Sequence, residues 1–85
     1  MEQRAKALGA TELRLSWRTG KKLAVLYRGR WIHFGAAGYE DFTQHKDPVR
    51  RAAYRRRHRG VLLSDGRPAY KVKSSPAYWA WNLLW

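Results

Sequence analysis

"LRLSWRTGKKLAVLYRGRWIHF", residues 13–34, is the stretch whose reading decides the fold. Leu13, Leu15 and Trp17 point one way and Arg14, Ser16 and Arg18 the other, which is the two-residue period of a strand. Thr19-Gly20 interrupts, and Leu23, Val25 and Tyr27 resume the alternation. Arg28-Gly29 interrupts again before Trp31-Ile32-His33-Phe34, a third short apolar run. Three β-prone segments separated by two turns predict an antiparallel meander over roughly residues 12–34. Three strands cannot close on themselves, so one face calls for a helix. The expected fold class is α+β, a small three-stranded antiparallel meander packed with two short helices.

Downstream, Gly35 and Gly38 break the sheet and residues 39–46 form a connector. Asp47-Pro48 is a helix start, because an aspartate caps free N–H groups and a proline suits the first helical position. The helix runs to Arg59, with Gly60 as its stop. Asp65-Gly66 and Arg67-Pro68 mark a turn or short hairpin whose arms are residues 61–63 and 70–72. Ser75-Pro76 repeats the cap-plus-proline signal and opens a second helix, Ala77–Trp85, apolar nearly all round. A helix without a polar face is buried or lies at an interface, and this one is expected to be the lid over the sheet. Residues 1–10 show no sustained period and read as a flexible basic arm, leaving residues 11–85 as one small α+β domain.

Composition narrows the function. Eighteen Lys and Arg stand against six Asp and Glu in 85 residues, a net charge of +12, with no cysteine and 14% aromatic residues. So short a chain buries only about two-thirds of its unfolded surface, and neither a disulfide nor a thiolate metal site supports it. The aromatic content separates it from a disordered basic tail. A compact +12 domain implies a polyanionic partner, nucleic acid first and an anionic membrane surface second. No apolar run approaches the ~20 residues that span a bilayer. The N-terminus lacks the apolar core of a secretory signal, so the expected location is a virion or the interior of the host cell, cytoplasm or nucleus.

The charge is uneven: residues 1–42 are net +4 and residues 43–85 net +8. The helix after Asp47 carries Arg50, Arg51, Arg55, Arg56, Arg57 and Arg59, with no acidic residue before Asp65. At about 100° per residue, Val49, Ala52 and Ala53 form a narrow apolar arc to dock on the domain. Arg50 and Arg57 flank that arc, Arg51, Arg55 and Arg59 fill the rest, and Tyr54 and His58 stack on the solvent side. A fan of guanidinium groups suits a phosphate backbone, since each can hold two phosphate oxygens. The expected nucleic-acid-binding residues are Arg50, Arg51, Tyr54, Arg55, Arg57, His58 and Arg59, with Lys46 before the helix and Lys71 and Lys73 beyond it. Arg56 falls in the middle of the apolar arc, where it must snorkel to the edge or pair with Glu40 or Asp41.

The bland reading of this helix is a solvated face that keeps the domain soluble. Against it, six like charges on one short helix are costly without a partner. Little else suggests chemistry. His33, His45 and His58 are too few and too scattered for a metal site. Glu40-Asp41 reads as a salt-bridge partner rather than an acid–base couple, and no glycine-rich phosphate loop is present. The expectation is a protein that is not an enzyme and takes no cofactor. Trp79, Trp81 and Trp85 read as core, or as a surface that docks on another protein. Trp31 and Tyr27 could stack bases, although their alternation is that of core residues.

Three blocks, "HFGAAGYEDFTQHKD" (residues 33–47), "RRAAYRRRH" (50–58) and "SPAYWAWNLLW" (75–85), together resemble an uncharacterised family of short basic proteins encoded mainly by large DNA viruses of algae and protists. The likeness covers roughly residues 21–85. Two departures stand out: relatives often carry a small residue at the position of Arg56, and they commonly continue past Trp85. The resemblance implies a viral gene product, carried in the particle or acting inside the cell, and implies no activity. The expected function is therefore non-enzymatic, largely sequence-independent nucleic-acid binding in genome binding or packaging, with DNA ahead of RNA. The alternative is a minor capsid or virion structural protein, which would dock by its aromatic C-terminal helix.

Overall fold

A computed structural model describes all of residues 1–85. The chain divides into two compact units, residues 1–38 and 39–85.

The first unit holds the meander. Its strands β1 (Glu12–Leu15), β2 (Lys21–Tyr27) and β3 (Arg30–Ala36) pair in the order β1-β2-β3, antiparallel throughout. Leu13 lies opposite Val25, and Val25 opposite Ile32; Leu23 is paired with both Leu15 and Phe34. That register gathers Leu13, Leu15, Leu23, Val25, Ile32 and Phe34 on one face. It puts Glu12, Arg14, Ala24, Leu26, Trp31 and His33 on the other. The turn between β2 and β3 takes Arg28 to φ 51° and Gly29 to φ 75°. Two left-handed residues in succession give the turn whose twist matches that of the strands it joins.

Trp17 departs from the sequence reading. β1 ends at Leu15, so the alternation stops before it reaches Trp17. The indole instead stands nearly perpendicular to Trp31 and His33, on the face opposite Leu13 and Leu15, with ring centroids 4.9 and 4.7 Å away. The first ten residues, read as an arm, contain a helix, α1 (Glu2–Ala7), packed on β1. Gly9 at φ 109° ends it. The Ala10 N–H reaches back to the Ala5 carbonyl and the Gly9 N–H to that of Lys6, both at 3.0 Å. This is the Schellman arrangement, and the two alanines that it brings together are buried.

The second unit is helical: α2 (Phe42–His45), α3 (Pro48–Arg59), a 3-10 turn (Ala69–Lys71) and α4 (Pro76–Leu83). α2 lies in the expected connector. Asp41 caps it by accepting from the Thr43 backbone N–H, and the Gln44 side chain accepts from the Asp41 N–H in return. α3 has the expected limits. The Asp47 carboxylate accepts from the N–H of Val49 and Arg50 at 2.9 and 3.3 Å. Gly60 closes α3 at φ −87°, a conformation open to any residue.

The expected hairpin shrinks to a single bridge, Leu62 with Pro68. Its second arm becomes the 3-10 turn, because Pro68 offers no N–H to continue a ladder. Ser75 caps α4 through the Ala77 N–H. Trp79, Ala80, Leu83 and Leu84 are buried, and the Trp79 indole N–H donates to the Lys73 carbonyl at 2.7 Å. α3 and α4 both pack on the 3-10 turn.

Candidate nucleic-acid interface

The two faces of α3 are set by what lies beside them in the second unit. Arg51, Tyr54, Arg55 and His58 are half-buried, whereas Val49, Arg50, Ala52, Arg56, Arg57 and Arg59 are exposed. The docked residues follow the i, i+3, i+4, i+7 spacing of one helical stripe. This overturns the apolar arc of Val49, Ala52 and Ala53 as the docking face: Val49 is 76% exposed and Ala52 is exposed, and only Ala53 is half-buried beside the stripe.

Aromatic rings explain the choice. Tyr54 lies flat on Trp85, with centroids 4.1 Å apart and planes within 6°. His58 sits 3.8 Å from Tyr54, and His45 is 5.2 Å from Trp85. The Arg51 guanidinium lies 4.8 Å over the Phe42 ring and that of Arg55 4.9 Å over Trp81. Arg55 also donates through Nη2 to the backbone oxygen of Trp85 at 3.1 Å. Large amphipathic side chains meeting π faces bury more surface than three small apolar ones, and each cation–π contact adds about 0.5–2 kcal/mol.

Tyr54 and His58 are thus turned inward, and not to solvent as the helical wheel suggests. Burial pushes the Tyr54 phenol up to about 12. Burial, followed by the neighbouring Arg57 charge, lowers the pKa of His58. The His58 Nδ1 and His45 Nε2 atoms are buried without a hydrogen-bond partner. His45 instead uses its Nδ1 to accept from the Asp47 N–H at 2.9 Å, which steadies the start of α3.

The outward face is cationic. Arg50 and Arg57 are seven apart, about 10 Å along the axis. Arg56 stands between their edge and that of Arg59. Ion pairs elsewhere include Lys6–Glu2, Arg14–Glu12 and Arg67–Asp65, and none of these involves the four arginines. Asp47 is engaged as a cap, and Asp65 by Arg67, whose backbone and side-chain N–H groups hold its carboxyl below the usual range. Arg56, the misfit of the wheel, needs neither snorkelling nor an acidic partner because it points straight out. It is the residue the sequence reading left out of the site. The signal that would have found it is the 51–54–55–58 stripe on the opposite side.

The sequence profile described as "Family of unknown function (DUF5754)" matches residues 11–58, more than half of the chain. The chain belongs to this family. No curated protein and no solved structure matches it. The DUF5754 match takes in the meander, α2 and α3 as far as His58, the last residue of the docked stripe. It covers the first two of the three sequence blocks, while the third, "SPAYWAWNLLW", lies beyond it. Lys71 and Lys73 also lie outside the DUF5754 segment, and Lys46 inside it; all three are exposed. Lys46 occupies the left-handed region at φ 53° between α2 and α3. The Lys71 ammonium rests 5.6 Å over Tyr70, which stacks on Trp81 at 4.3 Å. No three His, Cys, Asp or Glu side chains come together to hold a metal ion, and no helix is long and apolar enough to cross a membrane.

Proposed function

We propose that this protein is a non-enzymatic nucleic-acid-binding protein of a large DNA virus, acting in genome binding or packaging through the outward face of α3. The observation that carries the reading is the set Arg50, Arg56, Arg57 and Arg59: four exposed guanidinium groups on one helix, without an acidic partner. Such charges repel one another until a polyanion arrives, and a guanidinium fits two phosphate oxygens at once. Phosphate contacts position a protein without reading sequence, so little sequence preference is expected. The viral origin rests on the likeness of the three sequence blocks, and DNA stands ahead of RNA on the same ground. The alternative, a virion structural protein docking through α4, has less support. Trp79, Ala80, Leu83 and Leu84 are buried, and Trp81 and Trp85 already stack on Tyr70 and Tyr54.

The test is a fluorescence-anisotropy titration against a short random-sequence DNA duplex. Four phosphate contacts give about a 150-fold loss of affinity between roughly 50 and 200 mM salt. Absence of binding at the lower salt refutes the proposal.

A further inference from the structure

Counted by structural unit, the charge is even. Residues 1–38 carry eight basic and two acidic side chains and residues 39–85 ten and four, so each unit is net +6. The first unit therefore has a cationic surface of its own, which α3 does not account for. Both of its acidic residues are paired within it, Glu2 with Lys6 and Glu12 with Arg14.

On that surface stands the one tryptophan that the fold leaves in the open. Trp17 is 62% exposed. An exposed indole is usually free to move, but this one is held by two ring contacts. Its ring meets Trp31 at 79° and His33 at 86°, so two near-perpendicular neighbours brace it while most of its surface stays open to solvent. The corner beneath it is fixed by Ser16, whose oxygen accepts from the Arg18 N–H at 3.0 Å and lies 2.8 Å from His33 Nδ1. His33 is only 4% exposed, and burial, with the charges of Arg18 and Lys21, lowers its pKa. Cations lie nearby, with Arg18 and Lys21 close enough to act on His33. Arg14 lies 5.7 Å over Trp31, and Arg18 follows Trp17 directly and is exposed.

We propose that the Trp17 face of the sheet is a second binding surface, for single-stranded nucleic acid, with an unpaired base stacking on the Trp17 indole and the adjoining phosphate meeting Arg18. The charge of the unit selects a polyanion. The exposed, braced indole selects one with planar groups free to stack, which a duplex does not offer from within its paired stack. The surface goes beyond the α3 reading, since it uses residues 14–33 alone and would stand if α3 bound nothing.

The experiment compares the full chain with its Trp17→Ala and Trp17→Leu variants against four probes: a mixed-sequence single-stranded DNA, the same strand with abasic sites throughout, the random-sequence duplex, and anionic phospholipid vesicles. Loss of one base–aromatic stack lowers single-strand affinity about 5- to 150-fold. Both variants should show it, while their duplex affinity and circular dichroism spectra stay those of the parent. Trp17→Leu keeps the apolar bulk, so its loss reports the π face and not the packing. The abasic strand should bind the parent more weakly than the base-bearing strand and be indifferent to Trp17. Equal affinity of the variants and the parent for the base-bearing strand overturns the proposal. So does Trp17-dependent binding to anionic phospholipid vesicles with no Trp17 effect on the strand. Failure of the α3 reading would show elsewhere, as duplex binding unchanged on removing Arg50, Arg56 and Arg57.

Discussion

Trp85→Ala probes how α3 is held in place. In the structure the Trp85 ring stacks on Tyr54 and also meets His45, 4.1 and 5.2 Å from their centroids. A fully buried tryptophan removes about 150–250 Å² from water. Trp85 is half-buried, so the substitution forfeits roughly 80 Å² beyond what alanine retains, or about 2 kcal/mol. The parallel stack on Tyr54 adds about 1 kcal/mol, giving a loss of about 3 kcal/mol. For a chain of this size that lowers the melting temperature by more than about 10 °C. Thermal and urea denaturation followed by circular dichroism measure it. A second readout is specific to the contact: the Tyr54 phenol, held at about 12 by burial, should ionise closer to its ordinary 10.0 once the indole is gone. Alkaline difference spectra against Tyr54→Phe isolate that tyrosine from the other four. A stability change under about 0.5 kcal/mol, the range of an ordinary surface substitution, together with an unmoved Tyr54 midpoint, refutes the docking of α3 on Trp85.

The two faces of α3 should separate stability from binding. Arg55→Ala removes the contact over Trp81 and the bond to the Trp85 oxygen, and should destabilise by about 1–3 kcal/mol. Arg56→Ala should leave the urea midpoint unchanged and weaken duplex binding; the reverse pattern would mean that the faces are wrongly assigned. Acidification should also destabilise the fold. His33 and His58 both have folded-state pKa values below 6.5, so the unfolded chain binds their protons first. Their contribution is complete above pH 6.5 and declines as pH falls below it. Urea midpoints measured across that interval should drop in the parent and flatten in the His33→Gln/His58→Gln variant, and parallel pH profiles would contradict this.

Much of this architecture is legible in the sequence because the signals are local and strong. Alternation between Leu13 and Phe34 marks the meander, and Asp47-Pro48 and Ser75-Pro76 mark the starts of α3 and α4. α1 escapes notice because six residues show no period, and its decisive feature, Gly9, acts after the helix has ended. α2 spans four residues, and the Asp41/Gln44 capping box is its only cue.

The orientation of α3 is lost for a different reason. Hydropathy ranks Val49, Ala52 and Ala53 above Arg51, Tyr54, Arg55 and His58. That ranking fails where the partner surface is aromatic, because rings attract guanidinium groups and other rings. Those partners include Trp81 and Trp85, thirty residues or so along the chain and invisible to any local window. Trp17 is misplaced by parity: counting alternation beyond Leu15 assigns it to the wrong face as soon as β1 stops.

The salt dependence of duplex binding, compared between the parent and the Arg50→Ala/Arg56→Ala/Arg57→Ala variant, tests the central claim most directly. Four phosphate contacts predict a log–log slope of about −3.6 for the parent and about −0.9 for the variant, which keeps only Arg59. A parent that does not bind at low salt, or a correctly folded variant with the parent's slope, contradicts the assignment of α3 as the nucleic-acid interface.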